Sequence, residues 1–336
     1  MAVTVDEQVR AALTAANAEA ASPAERAEML MEIATGFQIR PKSSEELVAA
    51  IDLYERAIDI CPETHALLAA RIQARMATAL QALPEAGTGS LEKARDALDG
   101  AIPAIRAHGR AEELAEAEMN LGLVLQNLAS ANKARITDAV AAYQRALRTF
   151  DRVKFPAEFA ILQNNLATAF LSIPFTDERS KMREALAVQA FEEGLKVVNL
   201  IDHPAEYAML QNNLGNALQY ASSSHVVENN MRALEAYDEA LKVRSRETMP
   251  LEFANTISNK ANCLWNLPDD VADAEAGNER NLGLARALYG DAREIFNAAG
   301  ELDKARIVAQ AIDQIERETL SRSTATASPA QARADH

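Results

Sequence analysis

Apolar and small residues recur along this chain at helical spacing. In residues 233–241, ALEAYDEAL, the positions Ala233, Leu234, Tyr237, Ala240 and Leu241 fall on one face of a helix. The same face returns in AIDLYERAI (50–58), ARDALDGAI (94–102), AVAAYQRAL (139–147), AVQAFEEGL (187–195) and ARALYGDAR (285–293). Each reduces to Ala, then an aromatic residue or Leu four positions on, then Ala or Gly three further. The small residues predict close approach of a neighbouring helix, with the aromatic ring filling the gap. No run of alternating Val, Ile and Thr predicts a strand.

A second periodic element lies between these faces. Residues 156–170, PAEFAILQNNLATAF, return at 204–218 as PAEYAMLQNNLGNAL with ten of fifteen positions identical. Anchored on Leu166 and Leu214, the pattern extends to Leu121, Met76 and, more weakly, Ile33 upstream, and to Lys260 downstream; from Met76 onward the steps are 45, 45, 48 and 46 residues. Six copies span roughly 24–299. Pro156, Pro204 and Pro250 mark helix starts, where a missing N–H costs nothing, and Glu158, Glu206 and Glu252 follow at the positive helix end. Pro174 and Pro268 sit where those helices should stop. Each unit is therefore two helices, and stacked units complete one another's core. Residues 300–320 form one more amphipathic helix, with Leu302, Ala305, Ala309, Ile312 and Ile315 as its apolar face, expected to cap the last hairpin. Residues 321–336 carry no core and are expected to be a disordered tail. The pattern assigns no role to residues 1–23.

A Leu-Gly or Leu-Ala anchor followed by an Ala–Tyr–Ala second helix resembles the tetratricopeptide repeat, and HPAEYAMLQNNLGNAL is similar to the longer repeats of kinesin light chains and related bacterial proteins. HEAT and armadillo repeats share the period but not this pairing. The resemblance implies an all-α fold: a right-handed superhelical solenoid of about six hairpins with a C-terminal capping helix. It also implies that the first helices line a concave groove in which asparagine amides, each both donor and acceptor, grip the backbone of an extended peptide. The candidate groove residues are Asn164 and Thr168, then Asn212, Asn216, Gln219 and Tyr220, then Asn255, Ser258, Asn262 and Trp265. The neighbouring set Asn120, Asn165, Asn213 and Asn259 is expected to bond the backbone of a neighbouring helix instead. Tetratricopeptide clamps for terminal carboxylates carry Lys and Arg on this stripe; Asn and Ser stand there in these helices, which argues against that use.

Composition narrows the function. Few glycines and prolines (12 and 11 of 336 residues) agree with a helical chain. A net charge of −15 excludes a general nucleic-acid binder. The charge is uneven: residues 1–60 and 247–320 carry −6 and −7, whereas 61–154 carries +1. Acidic ends would attract a basic partner, although a solvated surface accounts for the same charge. Cys61 and Cys263 have no metal or redox spacing, and the five histidines are scattered. The acidic loop 267–279, with Asp269, Asp270, Asp273, Glu275 and Glu279, does not fit a calcium loop. No phosphate loop, GxSxG or HExxH occurs, and no leader or membrane-spanning run is visible. The expectation is a cytoplasmic, non-enzymatic scaffold without cofactor, nucleic acid or membrane, binding a protein or peptide partner. A maturation chaperone for an enzyme subunit is the alternative. Partner identity and oligomeric state stay open.

Overall fold

The computed structural model describes residues 4–16, 21–39, 41–84, 87–174, 179–222, 225–273 and 277–331. Their regular structure is helical throughout, without a strand among the described residues. The chain divides into two compact units, Met1–Pro174 and Phe175–His336.

The first unit holds α1 (Val5–Ala16), α2 (Pro23–Ile39), α3 (Ser44–Ile60), α4 (Ala66–Ala82), α5 (Gly89–His108), α6 (Ala111–Ser130), α7 (Ile136–Ala146) and α8 (Pro156–Leu171). The pairs α2–α3, α4–α5 and α6–α7 are hairpins, and each packs on the next. The second unit holds α9 (Arg179–Leu195), α10 (Pro204–Gln219), α11 (Val226–Leu241), α12 (Pro250–Trp265), α13 (Glu279–Ala298) and α14 (Leu302–Gln331). Here α10–α11 and α12–α13 are the hairpins, α9 lies against α10, and α14 against α13. Pro156, Pro204 and Pro250 are each the first residue of their helix, as the sequence requires.

The repeated face of the second helices is the core. Ala50, Leu53, Tyr54 and Ala57 of α3 are wholly buried, as are Ala139, Ala142, Tyr143 and Ala146 of α7. Ala233, Tyr237 and Ala240 of α11 repeat the arrangement. Burying each large side chain contributes about 1.5–3 kcal/mol. Opposite Tyr143 and Tyr237 the first helix carries glycine, Gly122 and Gly215, because the ring occupies the space a Cβ would need.

Both ends are covered. Val9 and Leu13 of α1 pack against the core of the first hairpin, which gives residues 5–16 the role the sequence pattern left open. In α14, Ala305, Val308, Ile312 and Ile315 enter the core built on α12 and α13. Two expectations change there. Leu302 is exposed at the first position of the helix, and Val308 takes its place on the apolar face. The helix also runs past residue 320 to Gln331, where a disordered tail was expected; no glycine follows Gly300 to stop it. Residues 332–336 lie outside the described residues.

No helix among the described residues is long and apolar enough to cross a membrane.

Candidate protein-interaction face of the first helices

The polar stripe of the first helices is a ladder. In the first unit, Arg75 Nη1 of α4 donates to Thr35 Oγ1 of α2 (2.9 Å) and Arg71 Nη2 to Glu113 Oε1 of α6 (3.0 Å). Asn120 of α6 reaches back to Thr78 of α4 at a long 3.5 Å, and Gln126 Nε2 reaches forward to Thr168 Oγ1 of α8 (3.1 Å). In the second unit, Asn259 Nδ2 of α12 donates to Asn212 Oδ1 of α10 (3.3 Å) and Asn262 Nδ2 to the Tyr220 hydroxyl (2.6 Å). Trp265 Nε1 continues the ladder to Glu318 Oε2 of α14 (3.0 Å).

A second set of rungs runs inside each hairpin. The buried tyrosine of the second helix presents its hydroxyl to the stripe. Tyr54 donates to Gln38 Oε1 (2.6 Å) and Tyr143 to Gln126 Oε1 (2.9 Å). Burial pushes the Tyr143 and Tyr237 phenols well up, so they remain protonated donors. The Tyr237 oxygen lies 2.8 Å from both Asn216 Oδ1 and Gln219 Oε1. One hydroxyl proton cannot serve two carbonyl oxygens. Turning the Gln219 amide over lets Nε2, otherwise buried without a partner, donate to the phenol oxygen while Asn216 accepts.

This geometry sorts the candidate residues. Asn164 and Asn212 are buried, and each donates Nδ2 to the side chain of the next asparagine, Asn165 or Asn213. Both are largely covered, and their amides are engaged within the protein rather than open to a groove ligand. Asn216 and Gln219 serve Tyr237, and Thr168 accepts from Gln126 while donating to the Asn165 carbonyl (3.0 Å). The Ser258 hydroxyl bonds the Ala254 carbonyl of its own helix (2.8 Å). Asn255 is half-buried, without a side-chain hydrogen bond to a described residue. Tyr220 stands out from the face, 68% exposed, with Asn262 beside it and Trp265 half-buried one turn on. Of the set expected to bond a neighbouring helix's backbone, Asn259 and Asn120 reach the adjacent helix at side chains instead, Asn212 and Thr78.

A feature the sequence reading missed lies in the first unit. A recess of about 850 Å³ opens along α2, α4 and α6, lined among others by Thr35, Arg75, Thr78, Asn120, Glu32 and Glu116. The absence of basic residues from the stripe holds for α8, α10 and α12 but not for α4, which carries Arg71 and Arg75. The close identity of 156–170 and 204–218 draws attention to the later copies; the signal in α4 was the pair of arginines that precede its anchor, Met76.

Acidic residues of the 267–279 loop have local work. Asp269 accepts the backbone N–H groups of Arg280 and Asn281 at the start of α13 (both 2.9 Å), and these bonds outweigh its burial, leaving its carboxyl below the usual range. Glu275 lies outside the described residues. Among the described residues no group of three or more His, Cys, Asp or Glu is placed to hold a metal ion.

No protein-family model matches the chain, and no curated protein matches it in sequence. Solved structures do. The signal-transduction ATPase with numerous domains from Pyrococcus horikoshii, which carries a tetratricopeptide repeat sensor, matches 90% of this chain at 13% identity with a TM-score of 0.59. This chain spans 42% of that one, less than half its length. BtubC (BKLC) from P. vanneervenii matches 95% of this chain and 93% of its own at 14% identity, with a TM-score of 0.40, too low for structural inference. The fold is a tetratricopeptide-like array of helical hairpins. The narrower likeness to kinesin light chains is not shown.

Proposed function

We propose that the protein is a non-enzymatic scaffold that binds an extended segment of a partner protein across its first helices. The observation that carries this reading is the recess over α2, α4 and α6. Its 850 Å³ falls in the range of ligand pockets, and its hydroxyls and amides offer donors and acceptors to a peptide backbone. Glu28, Glu32, Glu113 and Glu116 line it against Arg71, Arg75 and Arg110, with Arg71 and Arg110 sharing Glu113, so a segment of basic character fits the small acidic excess.

Site-specific photocrosslinking in cells tests the reading. A crosslinking residue at Glu32, in the recess, is expected to trap one protein partner through a Lys- or Arg-bearing segment. The same residue at the exposed Glu55 of α3 is expected to trap none. Equal products from both positions, or none from Glu32, would sink it.

A further inference from the structure

Away from the recess just described, the first unit carries a concentration of arginine in an otherwise acidic chain. Arg106 near the end of α5, Glu118 of α6, Arg145 of α7, and Arg148 and Thr149 just beyond it surround a separate cavity of about 360 Å³. Glu118 lies at its base, 2% exposed. Its Oε1 accepts Arg106 Nη2 (2.9 Å), and its Oε2 accepts Arg145 Nε and Nη2 (2.8 and 2.6 Å). Both carboxylate oxygens are thus turned toward guanidinium groups.

The remaining charge is positive. Arg148 makes no ion pair to a described residue, and Arg106 uses one of its three nitrogens. Three arginines and one glutamate, Glu118, line the cavity. Asp99 of α5 also lies within the field of Arg95, Arg145 and Glu118, and partial burial pushes its carboxyl up from the usual range. Residues 145–154 carry Arg145, Arg148, Arg152 and Lys154 against one acid, Asp151. That carboxylate is engaged by the backbone N–H groups of Val153 and Lys154 (2.8 and 2.9 Å).

The second unit shows what the repeat does without this device. Two residues past Tyr237, where Arg145 stands past Tyr143, is Glu239, which bonds both Lys242 and the Tyr207 hydroxyl. There the cation at the position of Arg148 is neutralised by its own helix.

We infer that the cavity between α5, α6 and the end of α7 is a binding site for a phosphate group. Planar guanidinium forks match its oxygens, and a phosphate brings negative charge and several acceptors to the guanidinium nitrogens that Glu118 leaves unused. A carboxylate supplies one charge and fewer acceptors. The phosphate can come free in solution or on a phosphorylated side chain of a protein.

Calorimetry on the full chain at low ionic strength tests this, using inorganic phosphate, a short phosphoserine peptide and the same peptide with glutamate. Phosphate is expected to bind the wild-type chain, and Arg148→Gln to weaken it tenfold or more while the melting temperature stays unchanged, since Arg148 holds nothing together. Tighter binding of the phosphopeptide than of inorganic phosphate would assign the site to a modified partner; equal binding would assign it to the free anion. Equal phosphate affinity in wild type and Arg148→Gln, no binding at all, or a glutamate peptide bound as tightly as the phosphopeptide would overturn the assignment.

Discussion

Gly122 of α6 lies against the ring of Tyr143 of α7, so closely that a Cβ at 122 would sit 2.4 Å from the ring. Gly215 and Tyr237 repeat the relationship at 2.6 Å. The glycine of the anchor and the tyrosine of the second helix are thus two halves of one packing solution. Gly122→Ala gains about 1 kcal/mol of helix propensity but overpacks a rigid ring, which costs about 1–3 kcal/mol. Chemical denaturation is expected to show net destabilisation for Gly122→Ala and for Gly215→Ala. Adding Tyr143→Leu should relieve part of it, because Ala77 and Leu98 already pack in one core in the α4–α5 hairpin. A Gly122→Ala protein as stable as wild type would contradict the packing.

Asn212 and Ser258 occupy the same register in successive first helices, and the structure separates them. Asn212 is buried between Asn213 and Asn259, so Asn212→Ala strands polar partners and is expected to cost about 1–3 kcal/mol. Ser258 bonds its own helix, and Ala is the better helix former. Ser258→Ala is therefore expected to be neutral or slightly stabilising. Paired melting curves check both, and reversal of the order would remove Asn212 from the ladder.

One hairpin junction breaks the apolar rule of the others. Phe150 and Val198 stand sixteen residues before the anchors Leu166 and Leu214, and both are buried. At the same offset before Lys260 stands Arg244. Leu162 and Leu210, four residues before their anchors, are wholly buried; Thr256 takes that place and is buried too. Arg244 Nη1 donates to Thr256 Oγ1 (2.9 Å), but Nε is buried without a partner, and burial draws the guanidinium's pKa down. Replacing buried ionic groups with well-packed apolar ones is often stabilising by about 1–4 kcal/mol. Arg244→Phe with Thr256→Leu is expected to raise the melting temperature, whereas Thr256→Leu alone removes the one acceptor and should lower it.

The hairpin architecture was legible because its signal is redundant. Every second helix repeats Ala, aromatic or Leu, then Ala or Gly, and burial of Tyr54, Tyr143 and Tyr237 follows from that spacing alone. The site was less legible because a polar residue's role depends on what lies one helix away. Asn212 and Asn216 are four residues apart and share a side of α10, yet one is buried under a neighbouring asparagine and the other meets a tyrosine hydroxyl. Helical periodicity places both near the groove; only the third dimension says how deep each lies. Arg145 and Arg148 were invisible for a related reason. Their partners, or lack of them, come from α5 and α6, some 27 residues back in the case of Glu118.

Trp265, the chain's single tryptophan, reports on how the array ends. It packs against the core shared by α12, α13 and α14 and donates to Glu318. Val308, Ile312 and Ile315 of α14 are buried in that core, each worth about 1.5–3 kcal/mol when fully covered. Removing residues 301–336 uncovers Phe296 and Trp265 together, so Trp265 emission should shift to the red in the folded protein and its melting transition should fall by several degrees. In a repeat array stability is set by nearest neighbours, so the loss should be felt first by α12–α13, which the same fluorophore follows. Removing only 324–336 leaves every buried contact of α14 up to Ile315 in place, and neither signal should move. Glu318→Ala sits between these cases. It deletes one hydrogen bond at a half-buried indole, so a small emission shift is expected with a cost of about 1 kcal/mol or less. If the short truncation melts as early as the long one, the covering role belongs to the end of α14 rather than to the Val308–Ile315 face.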